Sequence, residues 1–220
     1  MKKVVIFGIS VFAEIAYFYL THDSPNQVIA FTVHEKFMDK KKFLGLPVVP
    51  FETIEKKYPP EKYTMFIAVG YQKMNKPRAK IFREAKNKGY KLLTYVNSKV
   101  TKWGKLDIGE NCFIFENNVI QPFVKIGNDV IMWSGNHIGH GTQIGDHCYI
   151  SSHVVISGFV KIRSNCFFGV NSTIRDSITI EKECVIGAGS VILESTKERE
   201  VYTPGGTKPI AITSDKLKRI

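Results

Sequence analysis

The chain has 220 residues, 44% of them hydrophobic and 23% charged, and a net charge of +11. These values belong to a globular protein rather than a disordered one, and no apolar run approaches the ~20 residues of a membrane-spanning helix. The segment Met1 to Gly8 is too short for a signal peptide and lacks a small-residue cleavage site, so a cytoplasmic protein with no membrane span is expected. The basic residues are spread along the chain. The densest run, Lys40 to Lys42, has no aromatic ladder beside it, which argues against nucleic acid as a partner and leaves small phosphorylated ligands as the anions a diffuse positive charge suits.

The first hundred residues alternate strand-like and helix-like segments. Lys3 to Phe7 is a short apolar run ending at Gly8, Phe12 to Leu20 is an apolar helical stretch, and Val28 to Val33 is a second strand. Thr64 to Val69 forms a third strand before Gly70. Pro77 to Lys88 is helical with Ile81, Phe82 and Ala85 on one face, Gly89 stops it, and Leu92 to Val96 is a further strand. Strands alternating with helices imply a parallel sheet of Rossmann type. The segment Gly8-Ile9-Ser10-Val11-Phe12-Ala13 stands where a GxGxxG loop would be, with Ser10 and Ala13 in place of two glycines. NAD is therefore not expected, although a strand–turn–helix still offers free N–H groups to an anion.

The second half has a period of six. Every sixth residue from Ile108 to Ile192 is apolar, fifteen in a row, and all are isoleucine except Met132 and Phe168. Neither a helix nor a single strand gives this beat. A coil with three flat sides of six residues each does, with one branched side chain per side stacked inside the prism. Two positions before the isoleucines the side chain is small or apolar, as at Val124, Val130, Thr142, Val154, Val160, Ser172 and Ser190. Glycine follows the isoleucine at positions 109, 127, 139, 145 and 187, where the chain is expected to turn a corner. Cys112, Cys148, Cys166 and Cys184 fall in the same small-residue series. With no CxxC pair they read as small buried residues rather than as metal ligands or a disulfide.

This pattern resembles the hexapeptide repeat of left-handed parallel β-helix proteins. The resemblance implies an α/β Rossmann-like domain over residues 1–98, followed by an all-β left-handed parallel β-helix with a C-terminal tail over residues 99–220. The order of parts is similar to bacterial nucleotide-sugar acetyltransferases of the NeuD/PglD-like sugar acyltransferase family, which build amino sugars for glycans and the O-antigens of lipopolysaccharide. Such a protein is expected to be a homotrimer using acetyl-CoA as co-substrate, with the coenzyme in a groove between subunits.

The family's general base is a histidine within an I-x-H-[DE] motif, and in His137-Ile138-Gly139-His140-Gly141-Thr142-Gln143-Ile144-Gly145-Asp146 the match is His140. Imidazole suits the role because it changes charge near neutral pH. Gly141 stands where the family has an acidic neighbour, so something else must orient His140: a backbone carbonyl, Glu116 or Asn136. His137 is the rival base. Gly158, eighteen residues on, matches the glycine whose N–H holds the thioester carbonyl. Tyr149 takes the place of a second histidine that touches the acetyl group, Val170 and Ala188 match positions lining the pantetheine arm, and Lys208 is placed to meet a coenzyme phosphate. By position, Ser10, Val11, Phe12, His34, Glu35 and Gly70 match the nucleotide-sugar site. No metal is implied. The leading expectation is N-acetylation of a nucleotide-linked amino sugar. Sugar O-acetylation and a non-catalytic trimeric sugar-binding scaffold are the alternatives.

Overall fold

The computed structural model describes residues 1–206 and residue 216. The N-terminal unit is built on β1 (Lys3–Phe7), α1 (Val11–His22), β2 (Gln27–Val33), β3 (Lys42–Phe43), β4 (Leu46–Pro50), α2 (Ile54–Lys57), β5 (Thr64–Ile67) and α3 (Lys76–Asn87). Its sheet runs β3-β4-β2-β1-β5. Alternate residues of β1 face opposite ways, as a pleated strand requires. Val4 and Ile6 pack with Ala13, Ala16 and Leu20 of α1, whereas Val5 and Phe7 pack with Ile81 and Ala85 of α3 and with Phe51, Ile54 and Tyr90.

The sheet is short and mixed rather than wholly parallel, because β3 runs antiparallel to β4. The hairpin turns on Leu44 and Gly45, both at positive φ. Two left-handed residues give the tight turn whose twist matches its strands, and a leucine in the first of them hides that signal in the sequence. The strand expected at Leu92 to Val96 divides. Leu92 makes one bridge to Met65, while Tyr95 and Val96 form the first strand of the coil that follows.

From Tyr95 onward, two-residue strands recur every six residues as far as Val191–Ile192, are joined by a last strand at Val201–Tyr202, and stack into three parallel sheets of seven, six and five strands. The register is eighteen residues per coil, as in the pairing of Ile126 with Ile144 and of Ile144 with Ile162. The isoleucine series fills the prism, joined by the small-residue series and by Cys112, Cys148, Cys166 and Cys184. The four thiols are free, and each points its sulfur at a carbonyl in the following coil, for example Cys148 Sγ to Arg163 O at 3.2 Å.

The glycines after the isoleucines do stand where the chain leaves each strand, but they are not the left-handed residues. That conformation falls two positions later, at every sixth residue from Asn111 to Gly189, and only three of those fourteen positions are glycine.

The three faces differ in what points outward. One carries Tyr95, Phe113, Ile131, Tyr149 and Phe167, and the N-terminal unit docks on it through α1 and the first sheet face. The second begins its strands with Asp107, Lys125, Gln143, Lys161 and Thr179 and is polar. The third shows Val119, His137, Val155, Thr173 and Val191, of which the three valines are exposed.

Polar contacts join the two units. Arg78 of α3 and Asp129 of the coil are both fully buried and pair at 3.0 Å. Asp129 also accepts from Asn111 Nδ2 at 2.7 Å and faces His147 Nδ1 at 2.8 Å. The carboxylate thus has partners on every side, which an ion pair in such a place requires. Near the end of α1, Asp23 accepts from the Tyr95 hydroxyl at 2.6 Å and from the Ser98 N–H at 2.9 Å.

Candidate active site

His140 lies on the corner between the apolar and polar faces, exposed to solvent. Coil stacking places Gly158 directly beneath it. A Cβ at position 158 would lie 2.8 Å from His140 Cε1 and 2.9 Å from Nε2, so only glycine leaves room for the ring. The Gly158 N–H has no hydrogen-bond partner among the described residues, which leaves it available to an incoming oxygen. Phe159 packs its ring edge-on to the imidazole, centroids 4.8 Å apart.

Gln121, on the preceding coil, supplies the ring's hydrogen bond. Its Oε1 is 3.0 Å from His140 Nδ1 and 2.9 Å from the His140 backbone nitrogen. The groups suggested by sequence as orienting His140 are engaged elsewhere. Glu116 accepts from the Tyr19 hydroxyl at 2.8 Å and from Ser134 Oγ at 2.7 Å. Burial opposes its charge, yet the hydrogen bonds from Ser134 and Tyr19 hold its carboxyl below the ordinary value. Asn136 is buried and donates to Asn118 Oδ1 at 2.8 Å. The Gln121 contact leaves no mark in sequence because it crosses a corner between residues nineteen apart.

Gly141 has a φ of +68°, and a Cβ there would lie 2.6 Å from Phe159 Cδ1. A side chain at this position would have to displace the exposed Phe159 ring. His137 lies on the apolar face, paired in register with Val119 and Val155, and Gly139 and the turn separate it from the His140 corner.

The other candidates fall into two further places. Val170 and Ala188 are exposed and one coil apart on the opposite edge of the apolar face. Tyr149 is on the docked face, near Val170 in a hollow of about 260 Å³ shared with Tyr71, Trp133 and Phe167. Its ring stacks on Phe167 at 5.6 Å, and burial pushes its phenol up to about 12. Within one chain, therefore, Tyr149, Val170 and Ala188 do not meet His140. Lys208 lies outside the described residues.

In the N-terminal unit, Ser10, Val11, Phe12 and Gly70 do come together. They line a hollow of about 620 Å³ with Gly8, Phe37, Asp39 and Gln72. Ser10 is the N-cap of α1 and its side chain makes no capping hydrogen bond. The sequence missed Phe37, at the end of a single 3-10 turn, and Asp39 and Gln72 on loops, none of them within a motif. His34 and Glu35 do not line this hollow. His34 sets Nδ1 2.9 Å from Glu52 Oε1 and Nε2 3.1 Å from Glu84 Oε2, and the Glu35 N–H donates to Glu52 Oε2 at 3.0 Å.

The comparisons with known proteins agree with this architecture. The family model described as the hexapeptide repeat of succinyl-transferase matches residues 160–194. No curated sequence matches the chain. Among solved structures, the chain is similar to a histidine-to-asparagine variant of perosamine N-acetyltransferase from Caulobacter crescentus in complex with CoA and GDP-perosamine. The TM-score is 0.81 at 21% identity, covering 91% of this chain and 93% of that one. It is also similar to the acetyltransferase domain of PglB from Neisseria gonorrhoeae FA1090, with a TM-score of 0.79 at 20% identity over 96% of this chain and 100% of that one. The complex of that domain with acetyl coenzyme A has a TM-score of 0.79 at 20% identity, covering 95% and 99%. The coil is therefore a hexapeptide-repeat β-helix. Over nearly its whole length the chain has the fold of the perosamine N-acetyltransferase and of the PglB acetyltransferase domain.

Proposed function

We propose that the protein is an acetyl-CoA-dependent N-acetyltransferase acting on the amino group of a nucleotide-linked amino sugar. The observation that carries this reading is the His140–Gly158 pair: an imidazole Nε2 above a glycine N–H, neither of which has a hydrogen-bond partner among the described residues. Similar folds bound to CoA, acetyl coenzyme A and GDP-perosamine support it. In this reading His140 Nε2 takes the proton from the sugar amine as its nitrogen bonds to the thioester carbonyl carbon. The Gly158 N–H steadies the carbonyl oxygen as it gains charge. The carbon–sulfur bond then breaks, and the thiol leaves with the proton returned from His140. The products are the N-acetylated sugar and CoA.

The N-terminal sheet acts as a Rossmann-like unit holding the nucleotide. The N-terminus of α1 at Ser10, Val11 and Phe12, beside Gly70, suits a diphosphate, because helix N-termini present unpaired N–H groups and a positive dipole end. Left-handed coiling and a homotrimer belong to the same reading. The exposed valines of the third face lie between the His140 corner and the Val170–Ala188 edge. Packing that face against other copies brings one chain's base beside the next chain's coenzyme edge, which accounts for the separation of the two groups within a chain. The cytoplasm fits the four reduced thiols. No helix among the described residues is long and apolar enough to cross a membrane.

The test offers the protein acetyl-CoA with UDP-, GDP- and dTDP-linked amino sugars and follows thiol release. Acetyl-CoA, and not NADH, is expected to raise the melting temperature by mass action. Thiol release with none of the sugars, together with stabilisation by NADH alone, contradicts the proposal.

A further inference from the structure

The hydrogen bonds around His140 define its protonation pattern. A backbone N–H can only donate, so the His140 N–H fixes the amide of Gln121 with its oxygen toward the histidine. The same oxygen lies 3.0 Å from Nδ1. An amide oxygen cannot donate, so Nδ1 carries the proton of the neutral ring, and Nε2, above Gly158, keeps its lone pair.

The groups in direct contact with the ring, Gln121, Gly158 and Phe159, are uncharged. The charged and titratable groups beyond them are His137 on the preceding strand, Lys125 and Lys161 on the polar face of the flanking coils, and Arg175 and Asp176, one coil past Gly158. Phe159 crowds Gly141, the sequence neighbour of His140, where a Cβ would lie 2.6 Å from its ring.

We propose that Gln121 is the positioning residue for the base: a neutral amide on the preceding coil that selects the Nδ1–H tautomer and aims Nε2 at the acceptor. This rests on the reading of His140 as the base. A carboxylate in that place would both orient the ring and favour its charged form, since charge-assisted hydrogen bonds are the stronger ones. The amide orients and does not add charge. Gln121→Glu therefore separates the two effects.

The experiment uses the full chain labelled with 15N-histidine, with NMR and kinetics run in parallel. In the unaltered protein the neutral His140 ring is expected as the Nδ1–H tautomer. Gln121→Ala should give a tautomer mixture and lower kcat about tenfold or more, with KM for acetyl-CoA unchanged. Gln121→Glu should restore the single tautomer and move both the His140 titration and the acidic limb of the kcat profile up by about one pH unit. A Gln121→Ala protein that keeps one tautomer and full kcat overturns the proposal, and so does an unmoved His140 titration in Gln121→Glu. If no version of the protein transfers acetyl groups, the enzymatic reading fails, while the tautomer and the titration still decide the role of Gln121.

Discussion

The His140 imidazole rests on the Cα of Gly158 one coil below, closer than any side chain at 158 would permit. This contact is made by the coil itself: the Phe159 N–H donates to the His140 carbonyl at 2.8 Å, locking the two corners in register. Gly158→Ala should therefore displace the ring without disturbing the prism. Turnover is expected to fall about 100-fold, the cost of moving a catalytic group by roughly 1 Å, with the melting temperature nearly unchanged. Full activity in this variant would show that the ring's place does not matter.

His140→Ala should keep the fold and coenzyme binding and lower turnover by ~100- to 10,000-fold, with the lower part of that range favoured because no carboxylate assists the ring. Raising the pH should partly rescue it, since a free amine acceptor can lose its proton to water. His137→Ala, on the apolar face, is the control. Turnover of both variants, measured from about pH 6 to about pH 9, identifies the base, and a crippled His137→Ala beside a normal His140→Ala reverses the assignment.

Ile144 is buried between Ile126 and Ile162. Ile144→Asp puts a carboxylate in that stack with no partner, which costs several kcal/mol or forces it to take up a proton. The variant is expected in the insoluble fraction. A soluble protein with an unchanged melting temperature would contradict the packing.

Acid should loosen the joint between the two units. Hydrogen bonds from Ser98 and Tyr95 hold Asp23 below its ordinary value of 3.8 although burial opposes this, and Glu116 is held below 4.5 by Ser134 and Tyr19 against the same opposition. Groups with lowered folded-state values contribute stability that is present above their unfolded values and is lost as pH falls through the folded ones. The urea midpoint should thus be flat above about pH 5 and fall below it. Asp23→Asn should start lower and fall less, which equilibrium unfolding across pH will measure.

The coil was legible because its interior uses one kind of residue on a fixed beat, and no other structure explains isoleucine at every sixth place from Ile108. The clustering of Ser10, Val11, Phe12 and Gly70 followed from strand ends that all point one way. What stayed hidden depends on partners distant in sequence. Arg78 reads as a solvent-facing residue of a basic helix, and its burial makes sense only with Asp129, fifty-one residues later. His34 and Glu35 follow β2 as the nucleotide positions were expected to, but Glu52 and Glu84 draw them off. Leu44 conceals a hairpin because its left-handed conformation belongs to the turn rather than to its residue type.

The left-handed residue that recurs every six positions from Asn111 to Gly189 governs how the coil can change in length. Loss of one residue moves every later inward isoleucine out of the prism and every later corner onto the wrong residue. Loss of six keeps both rhythms but rotates the faces, so that the aromatic wall around Tyr149 turns to solvent and third-face residues such as Val155 take its place on the docked face. Only eighteen residues, one whole coil, can be gained or lost with each face still in place. The span from the N-terminal hollow to the far end of the prism is therefore set in steps of about 4.8 Å, the spacing of neighbouring strands. The length of the prism is a whole number of turns, fixed by a backbone angle that recurs with the repeat.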